Sequence, residues 1–324
     1  MNWSNKIINV AFSSNDWYSE HLAVAIFSLL KNLDNWFYAN IYILDWGISK
    51  KNIKFIENIV NKLWNWTISF IKMNREKYKD FPTSWWLSQE TYYRLEIPNL
   101  IKNINKIIYL DVDIIINWSL SSLRETNLDS KAIWATKENT TINYYRDLYN
   151  IKSPYTYFFN AWVLIIDINK IKHINLMNSV IDFMEENKDS LVACDQDALN
   201  VILNNEWAPI YPKYNALPFL WVTNTWKNFW YTKHEFREAK NNPIVIHFAW
   251  EKPRKKICFH PKAYLYHQYR KECWLPPIKV ESLSIRDKLK QFASKLTLVL
   301  QANIPNSIYR YLIYKPYRLL LKRK

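Results

Sequence analysis

The sequence predicts an α/β fold: a mostly parallel sheet flanked by helices, followed by a basic helical tail. Three observations predict it. Through residues 1–135, short apolar runs alternate with segments of helical period, the signature of repeated βα units. The run Ile107-Ile108-Tyr109-Leu110 is apolar throughout, as a buried strand is, and it leads directly into two aspartates. From about residue 285 the pattern changes to apolar residues at helical spacing among lysines and arginines.

Taken in order, Ile7–Phe12 reads as a first, buried strand. Glu20–Lys31 reads as a helix, with His21, Leu22, Val24, Ala25, Phe27 and Leu29 inside it. Ile41–Leu44 is a second strand, Lys50–Lys62 a second helix and Thr67–Ile71 a third strand. Gln89–Arg94 looks helical and is expected to stop near Pro98. Lys106–Leu110 is the fourth strand. Trp162–Ile168 is a further strand, Lys170–Glu186 and Asp195–Asn204 are helices, and Ile244–His247 is a late core strand. Ile285–Leu300 reads as an amphipathic helix. In parallel sheets, ligands bind beyond the carboxyl ends of the strands, so residues just after the strands are the candidates for chemistry.

Hydrophobic residues make up 49% of the chain, enough for a sizeable core. Cys194, Cys258 and Cys273 are too few and too scattered for a disulfide framework or a cysteine-based metal site, and are expected to be thiols in a reducing cytoplasm. The N-terminal apolar stretch is short for a signal peptide and reads as a strand. No apolar run approaches the length of a transmembrane helix. The net charge of +15 is uneven. Residues 285–324 hold ten Lys/Arg against Asp287, net +9, and the rest holds 34 Lys/Arg against 28 acids, net +6. A mildly basic body suits an anionic small substrate.

The composition carries one anomaly: 17 tryptophans and one glycine, Gly47. About 7% glycine is ordinary, or roughly 20 residues here. Tryptophans sit where turn glycines are expected, as in Asp16-Trp17-Tyr18, Asn65-Trp66-Thr67 and Asn117-Trp118-Ser119. Most of them are therefore expected to be glycines in the protein its host makes, through a UGA codon that the host reads as glycine and the written sequence as tryptophan. Abundant Asn, Ile, Lys and Tyr fit the AT-rich genome in which such reassignment occurs.

Four elements carry chemistry. Asp111-Val112-Asp113 follows the fourth strand, and two carboxylates at that spacing can reach one divalent cation of the hard, oxygen-preferring kind, Mn²⁺ or Mg²⁺. Surface Asp-x-Asp pairs are common, so position matters more than spacing. His247 ends an apolar strand and could complete the shell, or could be a satisfied core histidine; Lys252 follows and could neutralise phosphate. Phe159-Asn160-Ala161-Trp162 and Asp195-Gln196-Asp197 complete the set, with plain alternatives of a turn at Asn160 and a helix N-cap at Asp195.

In this order, Tyr109-Leu110-Asp111-Val112-Asp113, Phe159-Asn160-Ala161-Trp162-Val163-Leu164, Asp195-Gln196-Asp197-Ala198-Leu199-Asn200 and His247-Phe248-Ala249-Trp250-Glu251-Lys252-Pro253 resemble the motifs of glycosyltransferase family 8. Trp162 and Trp250 fall on family glycines. Ser88–Leu95 and Leu22–Leu30 extend the similarity, which covers residues 6–275. The resemblance implies a GT-A, Rossmann-like catalytic domain over residues 1–280 and a separate tail over 281–324. It implies a retaining hexosyltransferase of the lipooligosaccharide galactosyl- and glucosyltransferase kind, with UDP-galactose or UDP-glucose as donor, a glycan or lipid-linked acceptor, and Mn²⁺, with Mg²⁺ as the alternative. By resemblance, Asp111, Asp113 and His247 hold the metal. Ser13 and Asn15 take the uridine side, and Arg94, Asp111 and Lys252 meet the sugar diphosphate. Glu138, Asn160, Ala161, Asp195 and Gln196 line the donor sugar, with Gln196 near the anomeric carbon. Glu138 stands for a family Asp, Arg254 for a Trp, and the loop after His247 is one residue short; these departures bear on sugar specificity.

The tail is basic and aromatic, a composition suited to an anionic membrane surface. The expected location is cytoplasmic, peripheral on the inner face of the cell membrane. A solvated tail is the plain alternative, and no recognition motif supports nucleic-acid binding. The rival to an enzyme is a nucleotide-sugar-binding scaffold on the same fold.

Overall fold

The computed structural model describes residues 6–303 apart from 82–88, 129–130, 142–148, 150–156, 189–190, 192, 224–225, 227–229, 250–251, 255–257, 277 and 279–283. The first half is a run of βα units: β1 (Ile7–Ser14), α1 (Ser19–Lys31), β2 (Tyr38–Asp45), α2 (Lys50–Val60) and β3 (Trp66–Lys72). Local chemistry explains the joints. Gly47 takes φ 81°, the Asp45 carboxylate accepts from the Ile48 amide at 2.6 Å, and Ser49 caps α2 by accepting from the Asn52 amide.

A 3-10 segment (Gln89–Glu96) then runs into the short α3 (Ile97–Leu100). The helical run ends at Leu100, near Pro98 as expected, but passes through the proline. Proline sits in the first turn of α3, where its missing N–H costs nothing. β4 (Lys106–Leu110) is as predicted, followed by β5 (Ile114–Ile116), α4 (Ser121–Glu125), β6 (Ile133–Thr141) and β7 (Tyr157–Asp167). β7 begins five residues before the expected start, so Asn160 lies inside a strand and not in a turn. The single helix expected over Lys170–Glu186 is two, α5 (Ile168–Lys172) and α6 (Leu176–Glu186), broken where Asn175 takes φ 48°. α7 (Asp195–Ile202) has Cys194 at its cap position, so Asp195 is a helical residue and not the N-cap.

The large sheet has the order β3-β2-β1-β4-β7-β6 and then β8 (Trp207–Pro209). β1, β2, β3 and β4 pair in parallel; β7 is antiparallel to both of its neighbours. The chain runs outward from β1 through β2 and β3 and returns as β4 on the opposite side of β1. The crevice past the carboxyl ends of β1 and β4 is thus the point where strand order reverses, the place where such sheets bind ligands. One face packs α1, α2 and a later helix, α9 (Ala263–Glu272), around Val10, Phe12, Leu22, Ile41 and Tyr266. The other packs the 3-10 segment, α3 and α5 to α7 around Tyr92, Tyr93, Tyr109, Leu164 and Trp207.

Between β8 and α9 lie α8 (Lys233–Asn241) and β9 (Val245–His247). β9 is the buried late core strand expected over Ile244–His247; it lies outside the main sheet and pairs antiparallel with β5 in a two-stranded ladder, with Ile114 opposite His247. A last helix, α10 (Ile285–Asn303), meets the body near its end, where Thr223 Oγ1 donates to Asn303 Oδ1 at 2.6 Å.

Candidate active site

The β5–β9 ladder brings His247 to the aspartates. Phe248 N donates to Asp113 O at 2.9 Å and His247 N to Ala216 O at 3.1 Å, fixing both chains. His247 Nε2 then lies 3.3 Å from Asp113 Oδ1. One ligand atom each from Asp111, Asp113 and His247 fall within 4.8 Å of one another. Two carboxylates and an imidazole are a donor set that could hold a divalent cation. Burial draws the His247 imidazole down to about 4, against the pull of Asp111 and Glu138, so it is neutral and able to ligate at pH 7. Lys252 Nζ contacts Asp113 Oδ2, bringing the expected phosphate-binding ammonium to the same carboxylate.

A second group lies beside it. Arg94, 4% exposed, reaches from the 3-10 segment. It donates from Nε to Thr91 O at 2.8 Å and from Nη1 to Ala161 O, and Nη1 is 4.0 Å from Asp111 Oδ1. Burial works against its charge, but Asp195, 3.0 Å from Nε, holds its pKa above the ordinary value. Burial raises Asp195 to about 6, with Arg94 opposing. Since the Arg94 Nε–H points to Thr91, Asp195 Oδ2 accepts no hydrogen bond among the described residues. Asp195 Oδ2 is thus held by its ion pair with Arg94 and keeps a lone pair that a ligand hydroxyl can satisfy.

The third group is a network. The Gln196 amide is oriented at both ends: Oε1 accepts from Ala161 N at 2.9 Å and Nε2 donates to Glu138 Oε2 at 3.3 Å. Asn160 Nδ2 donates to the same Glu138 oxygen at 2.7 Å. Asn200 holds α7 to β7, exchanging bonds with Phe159 N and O and donating to Gln196 O.

Ser13 and Asn15 make a different attachment. Ser13 Oγ donates to Glu90 O at 2.7 Å, and Asn15 Nδ2 to Glu90 Oε1. They tie the end of β1 to the segment that carries Arg94, and they join the carboxylates through that segment.

Two residues quoted in the motifs without a role, and one outside them, complete the site. Thr91 and Asn200 support known members. Asn215 touches both His247 and Asn160, and only its place just after a proline-initiated turn marks it in the sequence. Trp162 packs edge-on against His247, with ring centroids 5.2 Å apart. Trp250 lies outside the described residues.

Comparison with known proteins bears on the family and the fold. The family model described as glycosyl transferase family 8 matches residues 9–257. General stress protein A of Bacillus subtilis is 28% identical over 82% of this chain and 93% of its own length. A putative glycosyltransferase of Haemophilus influenzae is 33% identical over 66% of this chain and 64% of its own. Among solved structures, the galactosyltransferase LgtC in complex with donor and acceptor sugar analogues superposes with a TM-score of 0.73 at 23% identity, over 87% of this chain and all of that one, which shows the shared fold.

Proposed function

The chain belongs to glycosyl transferase family 8, and from that premise we propose that it is a retaining, Mn²⁺-dependent hexosyltransferase. It moves galactose or glucose from a UDP-sugar to a cell-surface glycan, with a lipopolysaccharide-type acceptor. The observation that carries this reading is the convergence of Asp111, Asp113 and His247 within 4.8 Å, at the switch point of the sheet and beside the Arg94–Asp195 pair. A divalent ion held by these three would supply Lewis-acid neutralisation of the departing diphosphate.

This chain's residues do the rest. Lys252 and Arg94 bring positive charge to the diphosphate oxygens. Asp195, through the oxygen that faces Arg94, and Asn160 hold donor-sugar hydroxyls. Gln196 is fixed at both ends of its amide, which suits a group that orients the anomeric centre. A neutral amide is a poor nucleophile, so the acceptor attacks on the face the UDP leaves, through an oxocarbenium-like transition state. Residues 1–280 form the catalytic domain on this reading. Residues 281–324 form a membrane-surface tail that puts the enzyme at the inner face of the cell membrane, near a lipid-linked acceptor. Support for the tail is the apolar stripe Ile285, Leu289, Phe292 and Leu296 of α10, exposed beside Arg286, Lys288 and Lys295.

The test is a UDP-sugar screen with Mn²⁺ and mass-spectrometric product detection, using a gene with glycine at the suspect tryptophans. We expect hexose transfer from UDP-galactose or UDP-glucose, with kcat/KM reduced at least 100-fold in Asp113→Asn. UDP binding without turnover of any donor would overturn it in favour of a nucleotide-sugar-binding scaffold.

A further inference from the structure

Asn215 joins the two halves of the site. It is 2% exposed, at the end of the 3-10 turn Pro212–Tyr214, and the next residue, Ala216, bridges to Ile246 of β9. Its Oδ1 lies 2.8 Å from His247 Nδ1. Its Nδ2 lies 2.8 Å from Asn160 Oδ1 and 3.1 Å from Thr136 Oγ1. Asn160 in turn places Nδ2 2.7 Å from Glu138 Oε2, while its Oδ1 also accepts from Trp162 N at 3.1 Å.

The protons in this chain have one consistent arrangement. The Trp162 backbone N–H only donates, so Asn160 must turn its oxygen to Trp162 and its NH₂ to Glu138. That oxygen only accepts, so Asn215 must offer its NH₂ to Asn160 and its own oxygen to His247. Facing an acceptor, His247 Nδ1 must carry the imidazole proton, which leaves the Nε2 lone pair directed toward Asp113 Oδ1 at 3.3 Å. Two lone-pair-bearing atoms at that separation repel unless a cation is shared between them.

We propose that Asn215 is a positioning residue that transmits the polarity set at Asn160 by the Trp162 backbone N–H and locks His247 as its Nδ1–H tautomer, with Nε2 free to ligate a divalent cation beside Asp113. The proposal rests on the reading of Asp111, Asp113 and His247 as a cation site. It couples that site to the Glu138–Gln196 end of the pocket, so the metal ligand and the donor-sugar residues are set as one unit. A buried amide that merely filled space would satisfy its own bonds without fixing a tautomer on a neighbour.

The test uses the full chain labelled with ¹⁵N-histidine and long-range ¹H–¹⁵N correlation in metal-free buffer, with His247 assigned by its loss in His247→Gln. Mn²⁺ affinity is read separately by EPR. Wild type is expected to show His247 as Nδ1–H. Asn215→Leu, which removes the acceptor, is expected to show the Nε2–H form and to lose 10- to 100-fold in Mn²⁺ affinity, the usual cost of an outer-shell partner. Asn215→Asp keeps an acceptor at Nδ1 while losing the donor to Asn160, and should retain the wild-type tautomer; it decides the acceptor step if Asn215→Leu does not fold. An Nε2–H tautomer in wild type or Asn215→Asp overturns the proposal, as does unchanged Mn²⁺ affinity in folded Asn215→Leu. Wild type that holds the Nδ1–H form but binds no Mn²⁺ sinks the cation-site reading and leaves the amide relay standing.

Discussion

Trp230 and Trp274 take φ of 59° and 58°, in the left-handed region that an indole side chain disfavours and glycine enters freely. Both are exposed, as are Trp17, Trp36, Trp64 and Trp118, so these large apolar side chains contribute little core. At Asn65-Trp66 it is the asparagine that takes φ 61°, and neither Trp17 nor Trp118 has a positive φ. The expectation of glycine is thus carried by backbone strain at two positions and by exposure at others. Trp230→Gly is expected to raise stability by about 1 kcal/mol, read as an upward shift in Tm, because it removes the strain. Trp207 is the contrary case: it is 1% exposed in the core against Phe159, as a genuine tryptophan would be, and Trp207→Gly should cost at least about 3 kcal/mol. Trp162→Gly, which clears the indole from His247, is expected to lower KM for the UDP-sugar in a transfer assay. Intact mass of the protein from its own host would show which tryptophans are glycines; a mass equal to the written sequence would end the recoding argument.

At the scale of elements, the β5–β9 ladder and α10 matter most. The ladder is three residues long on each strand, and its purpose is register: it sets His247 opposite Ile114 and so beside Asp113. A one-residue slip would turn the imidazole to the other face. α10 exposes Ile285 at 80%, Leu289 at 63% and Phe292 at 66% along one face, an arrangement poorly suited to water. No helix among the described residues is long and apolar enough to cross a membrane. A chain lacking 285–324 is expected to lose flotation with phosphatidylserine-containing liposomes while keeping UDP-sugar hydrolysis in water. Flotation undiminished by the truncation would mean that the tail is not the membrane contact.

For the whole molecule, buried histidines couple stability to pH. Burial holds His21 and His260 at about 3 in the fold, against about 6.5 unfolded. His21 is bonded to the Tyr266 hydroxyl at 2.8 Å between α1 and α9, and His260 Nδ1 accepts from Lys262 N. Below pH 6.5 the unfolded chain takes up protons that these folded residues refuse. Their contribution is therefore complete above pH 6.5 and is lost as pH falls toward 3. Asp195 works the other way, since its folded value near 6 exceeds the unfolded carboxylate value and favours the fold as pH drops. His247, held at about 4, acts on the same side, so three groups outweigh one and stability should fall between pH 7 and pH 5, on the order of 1 kcal/mol or more per histidine, read as a lower urea midpoint. The fall should shrink in His21→Gln.

The sequence by itself determined the βα order, the fourth strand and its two aspartates, and the short motifs around Asn160, Asp195 and His247. Each depends on neighbours within a few positions, where strand and helix periods and turn chemistry act. It misplaced what depends on distant partners. β7 begins early because it pairs with both β4 and β6, and Pro98 is absorbed because a 3-10 segment already leads into α3; the pairing of β9 with β5 had no mark in the sequence. Asn215 stayed invisible for the same reason. An asparagine after a turn has no local mark of its bond to His247, and only the packing of β9 against β5, with Ala216 bridged to Ile246, brings the amide, the imidazole and the carboxylates into one buried cluster where unpaired polar groups are too costly to leave unmatched.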